Sequence, residues 1–231
     1  MTTDKLVCLV TSDRLSRTLA AACAAAAIPA AGLLLSPLPT AQAQPCADVE
    51  VVFARGTSEP AGVGRVGQAL ADQLRNQLGG RTVSTYGVNY PASYDFLFTA
   101  DGAVDATNRI SYLADQCPGT RVVLGGYSQG AAVVDMLAGV PPLGNRIGNI
   151  GSGPPLPGGL NGNVAAVAVF GNPSTKFGNP VSAAGSFAGK AIDLCANGDP
   201  ICSDGRNPFA HTSYESSPFI GQAVGFVAGR V

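Results

Sequence analysis

The chain has 231 residues, with 14 Lys and Arg against 15 Asp and Glu, a formal net charge of −1, one His and six Cys. With 13% charged and 46% hydrophobic residues it buries a substantial core, which excludes a disordered polypeptide. No basic run is present to grip a phosphate backbone, which excludes nucleic acid as a partner.

In chain order, the first segment reads as a secretory signal peptide over residues 1–43, cleaved on export. Arg14 and Arg17 supply a basic region, and Leu19 to Leu35 is almost wholly Ala, Leu, Ile and Gly. Ser36, Pro37 and Pro39 then break the run, and Ala41-Gln42-Ala43 gives the small-x-small pattern that signal peptidase reads. Pro29 and Gly32 interrupt the run, so it is a poor membrane span and no stable transmembrane anchor is expected. Pro45 before Cys46 is likewise a poor fit to a lipidation site.

Residues 44–231 are expected to form one α/β domain of 188 residues, with no repeat and no second domain. Val49 to Ala54 is apolar at nearly every position, as in a strand buried on both faces. Gly62 to Leu78 places Val66, Ala69, Leu70, Leu74 and Leu78 on one helical face. Arg81–Val88 reads as a second strand. Asp101–Asp115 reads as a second helix that packs through Val104, Ile110, Leu113 and Ala114. Arg121–Leu124 is a third buried strand, followed by a helix over Ala131–Leu137. Val164–Phe170 and Lys190–Leu194 are the fourth and fifth strands, and Phe219–Val227 is a covering helix. Strands separated by helices imply a mostly parallel five-stranded sheet with its functional loops at the carboxyl ends. Gly139–Gly162, rich in Gly and Pro, is either an irregular connection or part of the binding surface.

Of the six cysteines, Cys8 and Cys23 fall in the leader, leaving Cys46, Cys117, Cys195 and Cys202. Four cysteines in an exported chain imply two disulfides, with three possible connectivities. Cys195–Cys202 would close a short loop. A zinc site is disfavoured because there is no C-x₂-C pair and the sole histidine lies far downstream.

The chemistry centres on Gly126-Tyr127-Ser128-Gln129-Gly130, a G-x-S-x-G pattern set between a buried strand and a helix. Glycines two residues either side of the serine let strand and helix approach and push the hydroxyl outward. The competing reading, a phosphate-binding turn, lacks both a GxGxxG and a P-loop lysine. A serine hydroxyl needs a base, and His211 is the one histidine available, after the last strand and before the terminal helix. That gives the order Ser, acid, His. Four aspartates could be the acid. Asp135 lies in the nucleophile's own helix and is expected to point away, and Asp193 lies inside a strand and is expected to be structural. Asp199 sits between Cys195 and Cys202, where a disulfide would hold it still against an imidazole. Asp204 is the runner-up.

These residues, with Cys46, Arg55-Gly56-Thr57-Ser58-Glu59 and Cys195-Ala196-Asn197-Gly198-Asp199-Pro200-Ile201-Cys202, resemble the cutinase family, in particular its actinobacterial (mycobacterial-type) secreted cutinase-like serine esterases. The resemblance covers essentially all of residues 44–231. It implies an α/β-hydrolase three-layer sandwich with little lid and a Ser128, His211, Asp199 triad. It further implies disulfides Cys46–Cys117 and Cys195–Cys202, and an oxyanion hole made by Gln129 and Thr57. Fungal cutinases carry serine where this chain has Thr57, which adds a methyl at the site wall and weakens inference about substrate. A turn or helix cap before Pro60 is the plainer role for Thr57-Ser58. The expected function is a secreted carboxylic ester hydrolase, acting as a monomer on short- to medium-chain small-molecule, lipid or polymer esters, with no cofactor and no metal. Alternatives are an acetylxylan esterase, phospholipase or thioesterase on the same scaffold, or a secreted binding or antigenic protein with a degenerate site. Tyr90, Tyr127, Phe170 and Phe209 are candidate pocket-wall residues.

Overall fold

The computed structural model describes residues 45–144 and 150–231, so the signal-peptide reading lies outside the described residues. Five strands, β1 (Val49–Ala54), β2 (Val83–Gly87), β3 (Arg121–Tyr127), β4 (Val164–Phe170) and β5 (Ala191–Leu194), form one sheet in the order β2-β1-β3-β4-β5. Every pairing is parallel, so the strands' carboxyl ends gather along one edge.

Alternation along the strands divides the core into two layers. Val49, Val51, Phe53, Val123, Ala168 and Phe170 point to one face. There they pack against Val66, Leu70 and Leu74 of α1 (Gly64–Gln77) and Ile220, Ala223 and Val227 of α6 (Pro218–Ala228). Val52, Ala54, Leu124, Val167 and Val169 point to the other face, against α2 (Thr99–Gln116) and α3 (Gln129–Ala138). Two short helices, α4 (Pro173–Lys176) and α5 (Pro208–His211), complete the set used below. The result is the three-layer α/β-hydrolase sandwich, and each fully buried Leu contributes about 2 kcal/mol to it.

Three element readings change. The second helix packs through Ala103, Ala106, Ile110 and Leu113, while Val104 is 47% exposed, because the apolar face is phased on Ala103. The third strand runs on through Gly125-Gly126 to Tyr127, because its pairing with β1 and β4 continues there, and the missing side chain at Gly125 leaves room for the Phe53 ring. With the strand extended, α3 begins directly after Ser128 rather than at Ala131.

Both disulfides are formed. Cys46–Cys117 ties the chain before β1 to the end of α2, and Cys195–Cys202 closes the loop after β5. On chain entropy alone the first, across 71 residues, is worth about 4 kcal/mol and the second about 2.5 kcal/mol. No helix among the described residues is long and apolar enough to cross a membrane.

Candidate active site

The site is assembled at the carboxyl ends of β1, β3 and β5. Ser128 sits between β3 and α3 with φ 56° and ψ −116°, a conformation that a non-glycine residue adopts only under strain. Two close approaches hold it there. A side chain at Gly126 would run into the Gly130 carbonyl, and one at Gly130 into the Ala54 carbonyl of β1. The Ser128 N–H donates to the Phe170 carbonyl of β4 at 2.9 Å. The hydroxyl is thereby presented above the sheet edge, at the N-terminus of α3.

His211 ends α5. Its Nε2 lies 2.8 Å from Ser128 Oγ, and its Nδ1 lies 2.8 Å from Asp199 Oδ2. An ionised carboxylate can only accept, so Nδ1 carries the hydrogen and Nε2 accepts from the serine. The imidazole rests on the Tyr127 ring at 5.1 Å between centroids, and the Tyr127 hydroxyl donates to the His211 carbonyl at 2.6 Å. Burial raises the Tyr127 phenol pKa to about 12, so it stays a donor. Gly171, after β4, leaves the space for the pair: a side chain there would lie 2.8 Å from the imidazole Cε1.

Asp199 is completely buried within the Cys195–Cys202 loop. Burial alone would raise its pKa. Hydrogen bonds from His211, Tyr214 and the Ile201 N–H outweigh it and hold the carboxyl below the usual value. The other aspartates stand elsewhere. Asp135 is fully buried against Asn172 and Ser174, and Asp193 accepts from Asn172, Thr175 and the Ser182 N–H. Among the described residues no hydrogen bond or ion pair joins Asp204 to His211.

Thr57 follows β1, and its hydroxyl donates to the Gln129 side-chain oxygen at 3.0 Å. The Gln129 amide in turn donates to Thr99 Oγ1 at 2.9 Å, in a buried position. The main-chain N–H groups of Thr57 and Gln129 donate to no acceptor among the described residues, and that of Gln129 belongs to the open first turn of α3. The loop bearing Thr57 is braced from both sides. The buried Arg55 guanidinium donates to the carbonyls of Glu59, Val88, Tyr90 and Pro91. The Glu59 carboxylate accepts from Gly56 N–H at 2.7 Å and Arg65 N–H at 3.0 Å.

A cavity of about 610 Å³ opens on Ser128, with Thr57, Gln129 and His211 on its polar floor. Its walls are largely apolar, from Tyr94, Phe96, Leu143, Ile150 and Ile201. Of the four wall candidates, Tyr127 lines the cavity. Tyr90 and Phe170 lie in the core, and Phe209 is 78% exposed outside it. From the Gly139–Gly162 segment, Leu143 and Ile150 line the cavity. The residues that sequence reasoning missed are Tyr214, Gly171 and Thr99, each placed by tertiary contact rather than by a local pattern.

The family model for cutinase matches residues 45–231. A phospholipase of Mycobacterium tuberculosis, Culp4, is 51% identical over 210 residues, covering 90% of this chain and 89% of that one. A probable carboxylesterase of the same species, Culp3, is 50% identical, covering 84% and 72%. Among solved structures, Trichoderma reesei cutinase in complex with a phosphonate inhibitor superposes with a TM-score of 0.64 at 36% identity, covering 80% of this chain and 77% of that one. An acetylxylan esterase superposes with a TM-score of 0.67 at 23% identity, covering 80% and 99%, a likeness of fold alone.

Proposed function

The chain belongs to the cutinase family, and from that premise we propose that it hydrolyses carboxylic esters through a Ser128–His211–Asp199 triad and an acyl-enzyme. The observation that carries the reading is the single imidazole bridging Ser128 Oγ and Asp199 Oδ2 at 2.8 Å on each side. Ser128 Oγ attacks the ester carbonyl as His211 Nε2 takes its proton. Asp199 holds the ring in the productive tautomer and stabilises the imidazolium that forms. The Gln129 and Thr57 N–H groups, with the Thr57 hydroxyl, stabilise the oxyanion. Collapse of the tetrahedral intermediate expels the alcohol with the proton returned by His211. Water, activated by the same imidazole, then releases the acid.

The substrate reading is a short- to medium-chain ester, supported by an apolar cavity of a size that buries a small acyl group. A phospholipid is the second reading, favoured by the 51% identity to a protein named a phospholipase. Residues 1–43 are proposed to be removed on export, which agrees with two disulfides. N-terminal sequencing of the exported protein tests this, and a start well before Gln44 contradicts it. The triad is tested by Ser128→Ala, which should abolish p-nitrophenyl butyrate hydrolysis while circular dichroism stays that of the native fold. Retained hydrolysis overturns it.

A further inference from the structure

One of the three donors on Asp199 comes from a residue the triad chemistry leaves out. Tyr214 lies three residues after His211, opens a short helical turn (Tyr214–Ser216) and is 1% exposed. Its phenol O–H donates to Asp199 Oδ2 at 2.7 Å, the same oxygen that accepts from His211 Nδ1. The phenol oxygen also accepts the Ala196 N–H at 2.8 Å and lies 3.6 Å from the Cys202 sulfur. One side chain thus ties the start of the disulfide loop to the carboxylate that the loop carries. The ring is wedged among Tyr127, Phe170 and Phe219, and stands edge-on to His211 at 6.3 Å between centroids.

We propose that Tyr214 is a positioning residue of the site, its phenol O–H holding Asp199 Oδ2 in place against His211 and sharing that oxygen's charge. The proposal rests on the triad reading above. The choice of oxygen is what matters. The Ile201 N–H takes Oδ1, so the phenol and the imidazole compete for Oδ2. A carboxylate that shares its oxygen with a second donor attracts an imidazolium less strongly. Deleting the phenol donor therefore leaves Oδ2 to the imidazole alone and strengthens the carboxylate's hold on an imidazolium. Other titratable or charged groups around the pair include Tyr127, against the imidazole, the chain Glu59–Arg65–Glu215 beyond it, and Lys176, which donates to the Pro200 carbonyl next to Asp199. None of these contacts involves the Tyr214 hydroxyl.

Tyr214→Phe keeps the ring and deletes the donor. Because the sequence contains one histidine, nitrogen-15 NMR of untagged protein follows His211 without assignment and without any need for activity. The titration of His211 should move up by about half a unit to one unit. In parallel, kcat at the plateau should fall by roughly fivefold with KM unchanged, as expected when the carboxylate loses a positioning contact. A folded Tyr214→Phe protein whose imidazole titrates as in the native protein overturns the proposal and leaves Tyr214 as core filler. Should the Phe variant fail to fold, a ring-fluorinated tyrosine at position 214 provides a stronger donor on the same ring. It should move the His211 titration down, and an unchanged titration again overturns the proposal. Failure of the triad itself would show separately, as hydrolysis retained by Ser128→Ala.

Discussion

Replacing Thr57 by Val tests how the oxyanion is held. Valine keeps the branched shape and the main-chain N–H and exchanges only the hydroxyl for a methyl. In the resting site that hydroxyl gives its one hydrogen to Gln129 Oε1 at 3.0 Å. A developing alkoxide is a stronger acceptor than a neutral amide, because charge-assisted hydrogen bonds are about twice as strong. The hydroxyl is therefore expected to turn to the oxyanion as the tetrahedral intermediate forms. A single oxyanion donor is worth about 3 kcal/mol. Giving up the hydrogen bond to Gln129 offsets about 1 kcal/mol of that. The net loss of about 2 kcal/mol corresponds to a fall of about 30-fold in kcat. KM should stay constant, because the interaction is made only in the transition state. The assay is p-nitrophenyl butyrate turnover normalised to sites titrated with a fluorophosphonate, with Thr57→Ser alongside to restore the hydroxyl. A folded Thr57→Val enzyme with native kcat would refute the reasoning, as would a loss that Thr57→Ser does not recover.

Four further substitutions separate the roles of the remaining groups. Asp199→Asn offers an amide where an acceptor is required, and should reduce kcat by about 10³- to 10⁴-fold, with His211→Gln at least as damaging. Asp204→Asn, in the same kinetic assay, should leave activity native. Asp135 lies within α3, where burial drives its pKa well above the ordinary value despite hydrogen bonds from Asn172 and Ser174. A carboxyl whose folded pKa is raised stabilises the fold below its unfolded pKa, and that stability is lost as pH rises toward the folded value. Melting temperatures measured from acidic to alkaline pH should therefore decline less steeply in Asp135→Asn than in the native protein, and parallel curves would contradict this.

The strands were legible because β-branched and apolar runs such as Val49–Ala54 and Val164–Phe170 lie buried on both faces and tolerate little else. Ser128 was legible because the steric demand for Gly126 and Gly130 leaves a local pattern. His211 stood out as the one histidine, whereas spacing left Asp199 and Asp204 both open and the family resemblance pointed to Asp199. What stayed hidden depends on distance in sequence. Asn172 joins Asp135 to Asp193 across three elements, and Tyr214 reaches Asp199 from the far side of α5. Gly171 is demanded by an imidazole forty residues later in the chain. The wall candidates Tyr90, Phe170 and Phe209 were chosen by residue type, which does not say whether a ring faces the core, the cavity or solvent.

The central claim is that Ser128 is the nucleophile. Reaction with a p-nitrophenyl phosphonate followed by peptide mass spectrometry tests it directly. The account predicts one adduct per chain, on Ser128 and absent from Ser128→Ala. A folded protein that forms no adduct, or carries it on another residue, contradicts it.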